Sequence, residues 1–441
     1  MSVKDNPAPL AETPESRPLR RNREFQLLWS GAGVSYLGSR VSAIAYSLLI
    51  IWTTGSATQA GLVTTAALLP SLVVQLPAGL LVDRWDRRKT MMCCDAGRLL
   101  LVGSVGLAVA FHHIWLPQLL AVAFCENSLM VFYRLAERAT VAKVVPSGQL
   151  GTAMARNEAR GQASGLIGQP VGTFLFAAVR WLPFGVTAIA HLASMITLLF
   201  IRKDLRVSEQ DQTQRIWQRL TEGFSWVWHQ KYLRRALGLI AGSNILFQIL
   251  TLAVIVIIRH EGRSPATVGF IVAANGTGGL AGALTSGMWM RYLSIRRIIM
   301  TINVMWAVLM PLIAFVRNPA ELAAIYFCMI YAAGVGNVAG LTYQLKITPD
   351  GMQGRAGSVA SLLASGTNSI GALAAGFMLA AWGAKTTVLL VGAAMLTLAL
   401  LAVLGFAGPK AKRLEAALGA GVVRSESSRR RRSKANDVVR D

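Results

Sequence analysis

Charged residues are scarce in this 441-residue chain, and acidic residues are scarcest. Only 15% of the residues are charged, against roughly 25% in an average soluble domain, while 54% are apolar and the mean hydropathy is +0.48. Lys and Arg total 44, Asp and Glu total 21, and the formal net charge is +23. A chain with so little charge would expose too much hydrocarbon to water, which argues against a large soluble helical protein.

Cysteines and enzyme motifs are also lacking. Cys93 and Cys94 are neighbours whose linkage would form a strained ring, and Cys125 and Cys328 lie in separate apolar segments. We therefore expect no structural disulfide, no metal and no cofactor. The phosphate-binding sequence G-x-x-x-x-G-K-[ST] is absent, as are the H-E-x-x-H and G-x-S-x-G sequences of hydrolases. We expect neither an ATP-driven pump nor an enzyme.

Long apolar segments recur along the whole chain. Each is long enough to cross a hydrocarbon core of about 30 Å as a helix that rises about 1.5 Å per residue. Together they cover residues 26–52, 58–81, 91–111, 116–137, 157–179, 184–202, 236–258, 266–290, 297–316, 320–344, 356–380 and 386–407. The sequence predicts an all-α polytopic membrane protein with twelve transmembrane helices.

Basic residues are concentrated in alternate connections and in both tails. The short connection at 83–89 contains four of them, whereas the connections on the other side hold Arg180, Arg259, Arg263, Arg317 and Lys385. Cytoplasmic connections carry the excess of Lys and Arg. We therefore expect a multi-pass protein of a bacterial cytoplasmic membrane with both termini in the cytoplasm. Membrane lipid, rather than nucleic acid, then accounts for the basic charge, including the arginine run at 429–432.

The longest connection divides the chain into two sets of six segments. Within it Ile216, Leu220, Phe224 and Val227 recur at helical spacing, which predicts an amphipathic helix on the inner membrane surface. We expect a cytoplasmic tail (1–24), a six-helix bundle (25–202), a linker (203–235), a second six-helix bundle (236–408) and a basic tail (409–441). Duplicated halves of this kind are a known plan of transporters.

Residues 79–88 contain the clearest motif. They read Gly-Leu-Leu-Val-Asp-Arg-Trp-Asp-Arg-Arg between the second and third segments. This resembles the G-x-L-a-D-R-x-G-R-R signature of the major facilitator superfamily, with Asp86 where the family usually has Gly. In that family the loop latches the cytoplasmic side when the carrier opens outward. The resemblance assigns that latch to Gly79, Asp83, Arg87 and Arg88; anchoring by positive charge is the alternative.

Shorter matches are similar to the enterobactin-exporter-like, drug-efflux branch of that superfamily. They include Leu28 and Trp29, residues 37–40, where Ser39 stands in place of a frequent Asp, and residues 155–158. Residues 165–170 resemble the helix-five signature of proton antiporters, with Gln169 replacing a Gly. The resemblance implies two six-helix bundles around a central cavity and export of a small molecule in exchange for protons.

Two ionisable residues lie deep inside apolar segments. Arg40 is about 20 Å from the inner end of the first, and Glu126 is about 15 Å into the fourth. A charge at the bilayer centre costs at least about 2.5–3.5 kcal/mol, so each needs a partner or a wet cavity. We hypothesise an Arg40–Glu126 pair that couples transport to protons. A static pair that fixes helix packing is the alternative.

Further polar residues predict an inner-face network and a substrate cavity. We expect Asp95, Arg98, Glu137 and Arg138 to form the network, with Glu158 and Arg160 beside it, and His191 to be a packing residue. For the cavity we expect polar and aromatic side chains, which suit a bulky amphipathic substrate: Tyr36, Asn244, Gln248, Tyr331 and Asn337. Interhelical hydrogen bonding is the alternative for each of them.

These patterns favour a monomeric secondary transporter that exports a hydrophobic or amphipathic small molecule, such as a drug, siderophore or secondary metabolite, by proton antiport. Its expected partners are that substrate, protons and membrane lipid. Proton-coupled uptake of a small solute is the first alternative. A membrane receptor that does not transport is the second.

Overall fold

The computed structural model describes residues 18–201, 224–226, 228–348 and 352–407. Both predicted tails lie mostly outside the described residues, as does most of the predicted amphipathic helix, including Ile216 and Leu220. The described part of the chain contains no β-strand. Its α-helices are α1 (Arg23–Thr53), α2 (Ala57–Leu68), α3 (Pro70–Val73), α4 (Gln75–Val82), α5 (Arg87–Ala110), α6 (Leu116–Val144), α7 (Leu150–Ala178), α8 (Leu182–Leu199), α9 (Lys231–His260), α10 (Pro265–Tyr292), α11 (Ile295–Leu312), α12 (Pro319–Ile347) and α13 (Gln353–Ala407).

Polar caps begin several of these helices at the predicted connections. The side chain of Asn22 accepts the Phe25 amide at 3.1 Å at the start of α1, and Ser56 caps α2 in the same way. Asp86 begins α5 by accepting the amides of Arg88 and Lys89 at 2.9 and 3.1 Å. Such caps satisfy amides that have no partner within the helix. The acidic residue that departs from the family signature therefore starts the third transmembrane span.

Nine of the described helices are long and apolar enough to cross a membrane by themselves. The shortfall from twelve has three physical causes. The second span is divided into α2, α3 and α4, with Pro70 at the first break. Helix α7 is too polar, because it carries Arg156, Glu158 and Arg160 and its uncharged remainder is rich in Gly and Gln. The last two spans follow each other without a loop and count as one helix, α13. The fold is therefore the predicted all-α, twelve-helix arrangement.

A single glycine separates those last two spans. Gly383 has φ +72° and ψ 171°, which bends α13 back on itself. A side chain would disfavour this backbone conformation, whereas Gly adopts it freely. The hydroxyl of Thr387 donates to the carbonyls of Met378 and Gly383 at 3.1 and 2.7 Å and ties the two arms together.

The ends of the molecule differ in charge and in packing. The amide of Asn22 donates to the Val144 carbonyl, and Arg88 donates to carbonyls at the end of α8, so these termini share the end that carries the 83–89 loop. We call it the basic end. There the hydrophobic cores of the described residues belong either to the first half (α1–α8) or to the second half (α9–α13), never to both.

At the opposite end the two halves share one hydrophobic core. It contains residues from 44–51 of α1, 57–63 of α2, 246–258 of α9 and 375–395 of α13. Glycines allow the closest approach: a Cβ at Gly61 would lie 2.7 Å from the Cα of Gly376, and Thr58 donates to the Gly376 carbonyl at 3.4 Å. The halves are therefore joined at the opposite end and separate at the basic end.

Candidate functional site

Helix α1 has one face that no helix of its own half covers. Ser30, Val34 and Arg40 are exposed along this face, while α2, α6, α7 and α8 pack on the other faces. From Ile44 onward every residue of 44–51 is buried in the shared core. The face therefore borders a space between the halves that opens at the basic end and stops near the middle of α1.

A second face of α1 is a row of hydroxyl groups. Ser35, Ser39, Ser42 and Tyr46 follow one another at helical spacing, so they lie on one side of the helix. Each makes a hydrogen bond to an ionisable side chain of α5 or α6. This row separates two buried acidic groups, Asp95 near the basic end and Glu126 nearer the opposite end.

Asp95 lies in a fully buried polar cluster between α1, α5 and α8. Its Oδ1 accepts the Ser35 hydroxyl at 3.0 Å and lies 3.4 Å from Nη1 of Arg98 and 3.5 Å from Nδ1 of His191. Arg98 also donates to Ser35 at 3.0 Å and to Ser39. Since the single proton of Ser35 goes to Asp95, Nδ1 of His191, 3.1 Å away, donates to Ser35.

The cluster also contains His191, which the sequence predicts as a packing residue. Its ring is fully buried yet contacts a carboxylate, and its Nε2 has no partner among the described residues. Oδ2 of Asp95 and Nε of Arg98 are also buried without partners there. The Tyr133 ring, 5.9 Å from the Arg98 guanidinium, covers the cluster from α6.

The other half of the predicted inner-face network is a separate cluster. Glu137, only 2% exposed, accepts Nη2 of Arg160 at 2.5 Å and the Asn157 amide at 3.4 Å. Nη1 of Arg160 reaches the Trp29 carbonyl at 2.9 Å, and the guanidinium stacks 5.2 Å from the Tyr36 ring. Arg138 is exposed and has no partner among the described residues. One turn of α6 directs Glu137 inward and Arg138 outward, so the predicted four-residue network does not form.

The structure also corrects the predicted Arg40–Glu126 pair. Glu126 is 3% exposed and accepts the hydroxyls of Tyr46 at 2.8 Å and Ser42 at 3.3 Å. No ion pair joins it to Arg40 or to another described cation. The depths agree with the prediction, but Arg40 precedes Ser42 by two residues, which places the two side chains about 200° apart around α1.

Arg40 points instead toward α7 and the open space. A Cβ at Gly168 would lie 2.5 Å from the Cβ of Arg40, and one at Gly165 would lie 4.0 Å from its Nε. The glycines of the stretch that resembles the antiporter signature thus leave room for this side chain. Arg40 is exposed and makes no hydrogen bond or ion pair with any described residue. Arg134 of α6 acts on it electrostatically.

The residues of the family signature contact only the first half in this structure. Arg87 donates to the Ala139 carbonyl at 3.1 Å, and Arg88 donates to the carbonyls of Leu198 and Leu199 at 2.9 and 2.7 Å. Asp83 caps α4 through its backbone, and its exposed carboxylate has no side-chain partner among the described residues. Gly79 accepts the Asp83 amide at 3.2 Å. Arg88 thus binds carbonyls at the end of α8, and Arg87 binds a carbonyl within the last two turns of α6.

The predicted cavity residues of the second half differ from one another in exposure and in contacts. Asn244 and Gln248 lie half-buried on α9, and Gln248 packs at Gly371 of α13. Asn337 of α12 is exposed. The Tyr331 hydroxyl bonds to Thr285 at 2.7 Å and accepts the Trp289 indole at 2.8 Å, which occupies it in the contact between α10 and α12.

Sequence reasoning missed Ser35, Ser42 and Arg134. Serines are ordinary in membrane helices, so nothing marked these two except their shared face with Ser39 and Tyr46. Arg134 carried a stronger signal, because it lies in the fourth apolar segment three residues before Glu137. The candidate site is thus a set of buried and half-buried ionisable groups on α1, α5, α6, α7 and α8.

Comparisons with known proteins agree with this architecture. The family model described as Major Facilitator Superfamily matches residues 28–261 and 237–435. The chain is 25% identical over 390 residues to the multidrug efflux pump Tap of Mycolicibacterium fortuitum, covering 86% of this chain and 93% of Tap. It is 26% identical over 181 residues to macrolide efflux protein A of Streptococcus pyogenes, covering 40% of this chain and 44% of that protein.

Solved structures show the same fold. A bacterial homologue of the lysosomal transporter Spinster, in an inward-facing conformation, aligns with a TM-score of 0.70 at 13% identity over 87% of this chain and 97% of its own. The nucleoside transporter NupG aligns with a TM-score of 0.66 at 13% identity over 87% and 99%. With a family model that covers nearly the whole chain, this multi-pass membrane protein is a transporter, not an enzyme, and it belongs to the Major Facilitator Superfamily.

Proposed function

We propose that this transporter exports hydrophobic or amphipathic small molecules from the cytoplasm in exchange for protons. Two of its relatives are described as a multidrug efflux pump and a macrolide efflux protein, which supports export. The space between the halves opens at the basic end, which the distribution of Lys and Arg assigns to the cytoplasm. In this conformation a cytoplasmic substrate reaches the exposed face of α1.

Glu126 is the observation that carries the proton coupling. Its carboxyl is buried in a membrane span, and two hydroxyls hold it instead of a cation. A buried carboxylate without a paired cation is costly, and uptake of a proton removes that cost. A conformational change that hydrates Glu126 from the other side of the membrane would release or exchange the proton. This reassigns the coupling from the Arg40–Glu126 pair to Glu126 with Ser42 and Tyr46.

The two halves supply the movement. We propose that the bundles 25–202 and 236–408 rock about the site, breaking the shared core at the opposite end while the basic end closes. The carboxylate of Asp83 is exposed and unpaired among the described residues, so it is available to the second half in the other state. Arg87 and Arg88 fix the loop to α6 and α8 for that contact. We therefore retain the predicted latch, which would form in the conformation whose basic end is closed.

The test uses purified protein in lipid vesicles with an imposed pH gradient and an amphipathic fluorescent dye. The wild type should move the dye against its gradient only while the pH gradient lasts. Glu126→Gln keeps the size and the accepting oxygen of the side chain but removes the ionisable group, and should abolish uphill movement while downhill exchange continues. The matched control is Glu321→Gln, an exposed carboxyl at the start of α12.

Three outcomes contradict the proposal. If Glu126→Gln drives the dye as the wild type does, the coupling is wrong. If protons and dye move in the same direction, the protein is an importer. If the dye binds without any flux in reconstituted vesicles, the receptor alternative holds.

A further inference from the structure

The ionisable groups within the spans all belong to the first half. Away from helix ends, the described spans α9–α13 carry no Asp, Glu, Lys, Arg or His, except Lys385 at the bend of α13. The corresponding groups of the first half are Arg40, Asp95, Arg98, Glu126, Arg134, Glu137, Arg138, Arg156, Glu158, Arg160 and His191. Any counter-charge for an arginine in the passage must therefore come from the first half or from a ligand.

Two of these arginines, Arg98 and Arg160, are paired with carboxylates. Asp95 pairs with Arg98, and Glu137 pairs with Arg160 at 2.5 Å. Of the other carboxyls, Glu126 is held by hydroxyls on another face of α1, and the exposed Glu158 accepts the Gln162 amide. Arg40 and Arg134 are left without an ion pair or a side-chain hydrogen bond among the described residues.

The positions of Arg40 and Arg134 flank one aromatic side chain. Tyr36 precedes Arg40 by one turn on α1, so the two share a face. From α6, Tyr133 meets the Tyr36 ring edge-on at 6.4 Å. The Arg160 guanidinium, 5.2 Å from the Tyr36 ring, binds Glu137, which places the turn containing Arg134 beside Tyr36. Arg134 precedes Glu137 by three residues on α6, so these two side chains share a face of that helix. Two like charges thus face the same region.

Like charges held together inside a membrane protein are unfavourable unless something compensates them. A single charge at the bilayer centre already costs at least about 2.5–3.5 kcal/mol, and a second one nearby adds repulsion. Arg40 is exposed and Arg134 half-buried, so neither guanidinium is sealed inside the protein core. Guanidinium groups bind carboxylate and phosphate oxygens with paired hydrogen bonds.

We propose that Arg40 and Arg134 bind the acidic group of the transported molecule, so that the cargo of this exporter is an amphipathic organic anion. The proposal rests on the proposed transport function and names its substrate class. Val34 and Leu37, on the same face of α1 as Arg40, provide an apolar wall for the body of such a molecule. Neutral polar groups of the second half, Asn244 and Asn337, add no competing acid.

The test compares two xanthene dyes of similar size and opposite charge in proton-driven vesicle transport: anionic carboxyfluorescein and cationic rhodamine 6G. The wild type should transport carboxyfluorescein. Arg40→Gln and Arg134→Gln should each lower its rate about tenfold, the equivalent of one lost charge-assisted contact, and leave rhodamine 6G unchanged or faster. Arg40→Lys keeps the charge and should retain most of the rate. Arg180→Gln, in the exposed α7–α8 connection, is the control.

Several results overturn the proposal. If both arginine variants slow the two dyes equally, the arginines only support the fold, which gel filtration of the variants checks separately. If the wild type moves rhodamine 6G but not carboxyfluorescein, the anion site is wrong while export stands. If neither dye moves, both proposals fail. If rates depend on added phosphatidylglycerol and not on dye charge, the arginines hold a lipid headgroup instead.

Discussion

At the scale of single residues, the first half pairs most of its buried charge. Asp95 and Arg98 are both fully buried and share Ser35 as a common hydrogen-bond partner. In a buried pair the desolvation cost of each ion is offset by the other, so the pair itself adds little. Removing one member leaves the other uncompensated, which makes each residue essential to the folded bundle.

We expect Arg98→Ala to destabilise the protein by about 3–5 kcal/mol, because Asp95 then remains charged and buried without a cation. Thermal unfolding of the purified protein in detergent measures the effect. The double variant Asp95→Asn with Arg98→Gln should recover part of the loss. Arg138→Gln, on an exposed arginine of α6, should change stability by no more than about 0.5 kcal/mol. Equal unfolding temperatures for Arg98→Ala and Arg138→Gln would contradict the buried pair.

The position of His191 gives a second expectation at this scale. Its Nδ1 hydrogen-bonds to Ser35, and its ring lies against the Asp95 carboxylate. His191→Asn keeps a donor close to the Nδ1 position, whereas His191→Leu fills the volume without one. We expect the Leu variant to unfold at a lower temperature than the Asn variant, since it leaves the buried Ser35 oxygen with one donor fewer. The reverse order would show that His191 only fills space.

At the scale of helices, α1 is the central element. Glycines at its contacts set its rotation. Gly168 and Gly172 of α7 approach Arg40 and Val41 of α1. On α1 itself, a Cβ at Gly38 would lie 2.7 Å from the Cβ of Ala190 on α8. These contacts turn the hydroxyl row toward α5 and α6 and leave Arg40 to the open space. The functional separation of Arg40 from Glu126 follows from this rotation.

The contact between α2 and α13 predicts which substitution should open the shared core at the opposite end. Gly61→Val places a side chain against the backbone of Gly376, which cannot move aside, so the shared core at the opposite end should open. In a background without native cysteines, Ser47→Cys reports access to that core, because Ser47 is buried there. An impermeant maleimide applied outside cells should label this cysteine several times faster in Gly61→Val. Gly103→Val, which meets no atom within 4 Å, should not change the rate. Equal rates would contradict the closure.

The sequence predicted the helices well and their rotations poorly. The segment predicted at 184–202 corresponds to α8 (Leu182–Leu199), because length and hydropathy alone decide a membrane span. Depth was also predictable, as Arg40 and Glu126 show. Rotation was not, since it depends on which residues of distant segments pack against each helix. The pairing of His191 with Asp95 required contacts across 96 positions of sequence and could not be inferred from either segment.

At the scale of the whole molecule, charge distribution implies an orientation. The basic end carries the 83–89 loop and the ends of α6 and α8, and a membrane with the usual charge bias holds such an end in the cytoplasm. In cysteine-free protein, Arg84→Cys should be labelled by an impermeant reagent only in inverted vesicles, and Arg180→Cys only in intact cells. The reverse pattern would place the open space outside the cell and contradict export.

Alternation between two closures is the central claim, and paired spin-label distances test it most directly. One pair, Arg138→Cys with Tyr292→Cys, spans the basic end; the other, Arg180→Cys with Ala320→Cys, spans the opposite end, and all four positions are exposed. Measured in lipid across pH and with dye, the two distances should change in opposite directions, the basic-end distance shortening whenever the opposite-end distance lengthens. Distances that lengthen together, or that never change while transport proceeds, would contradict the account.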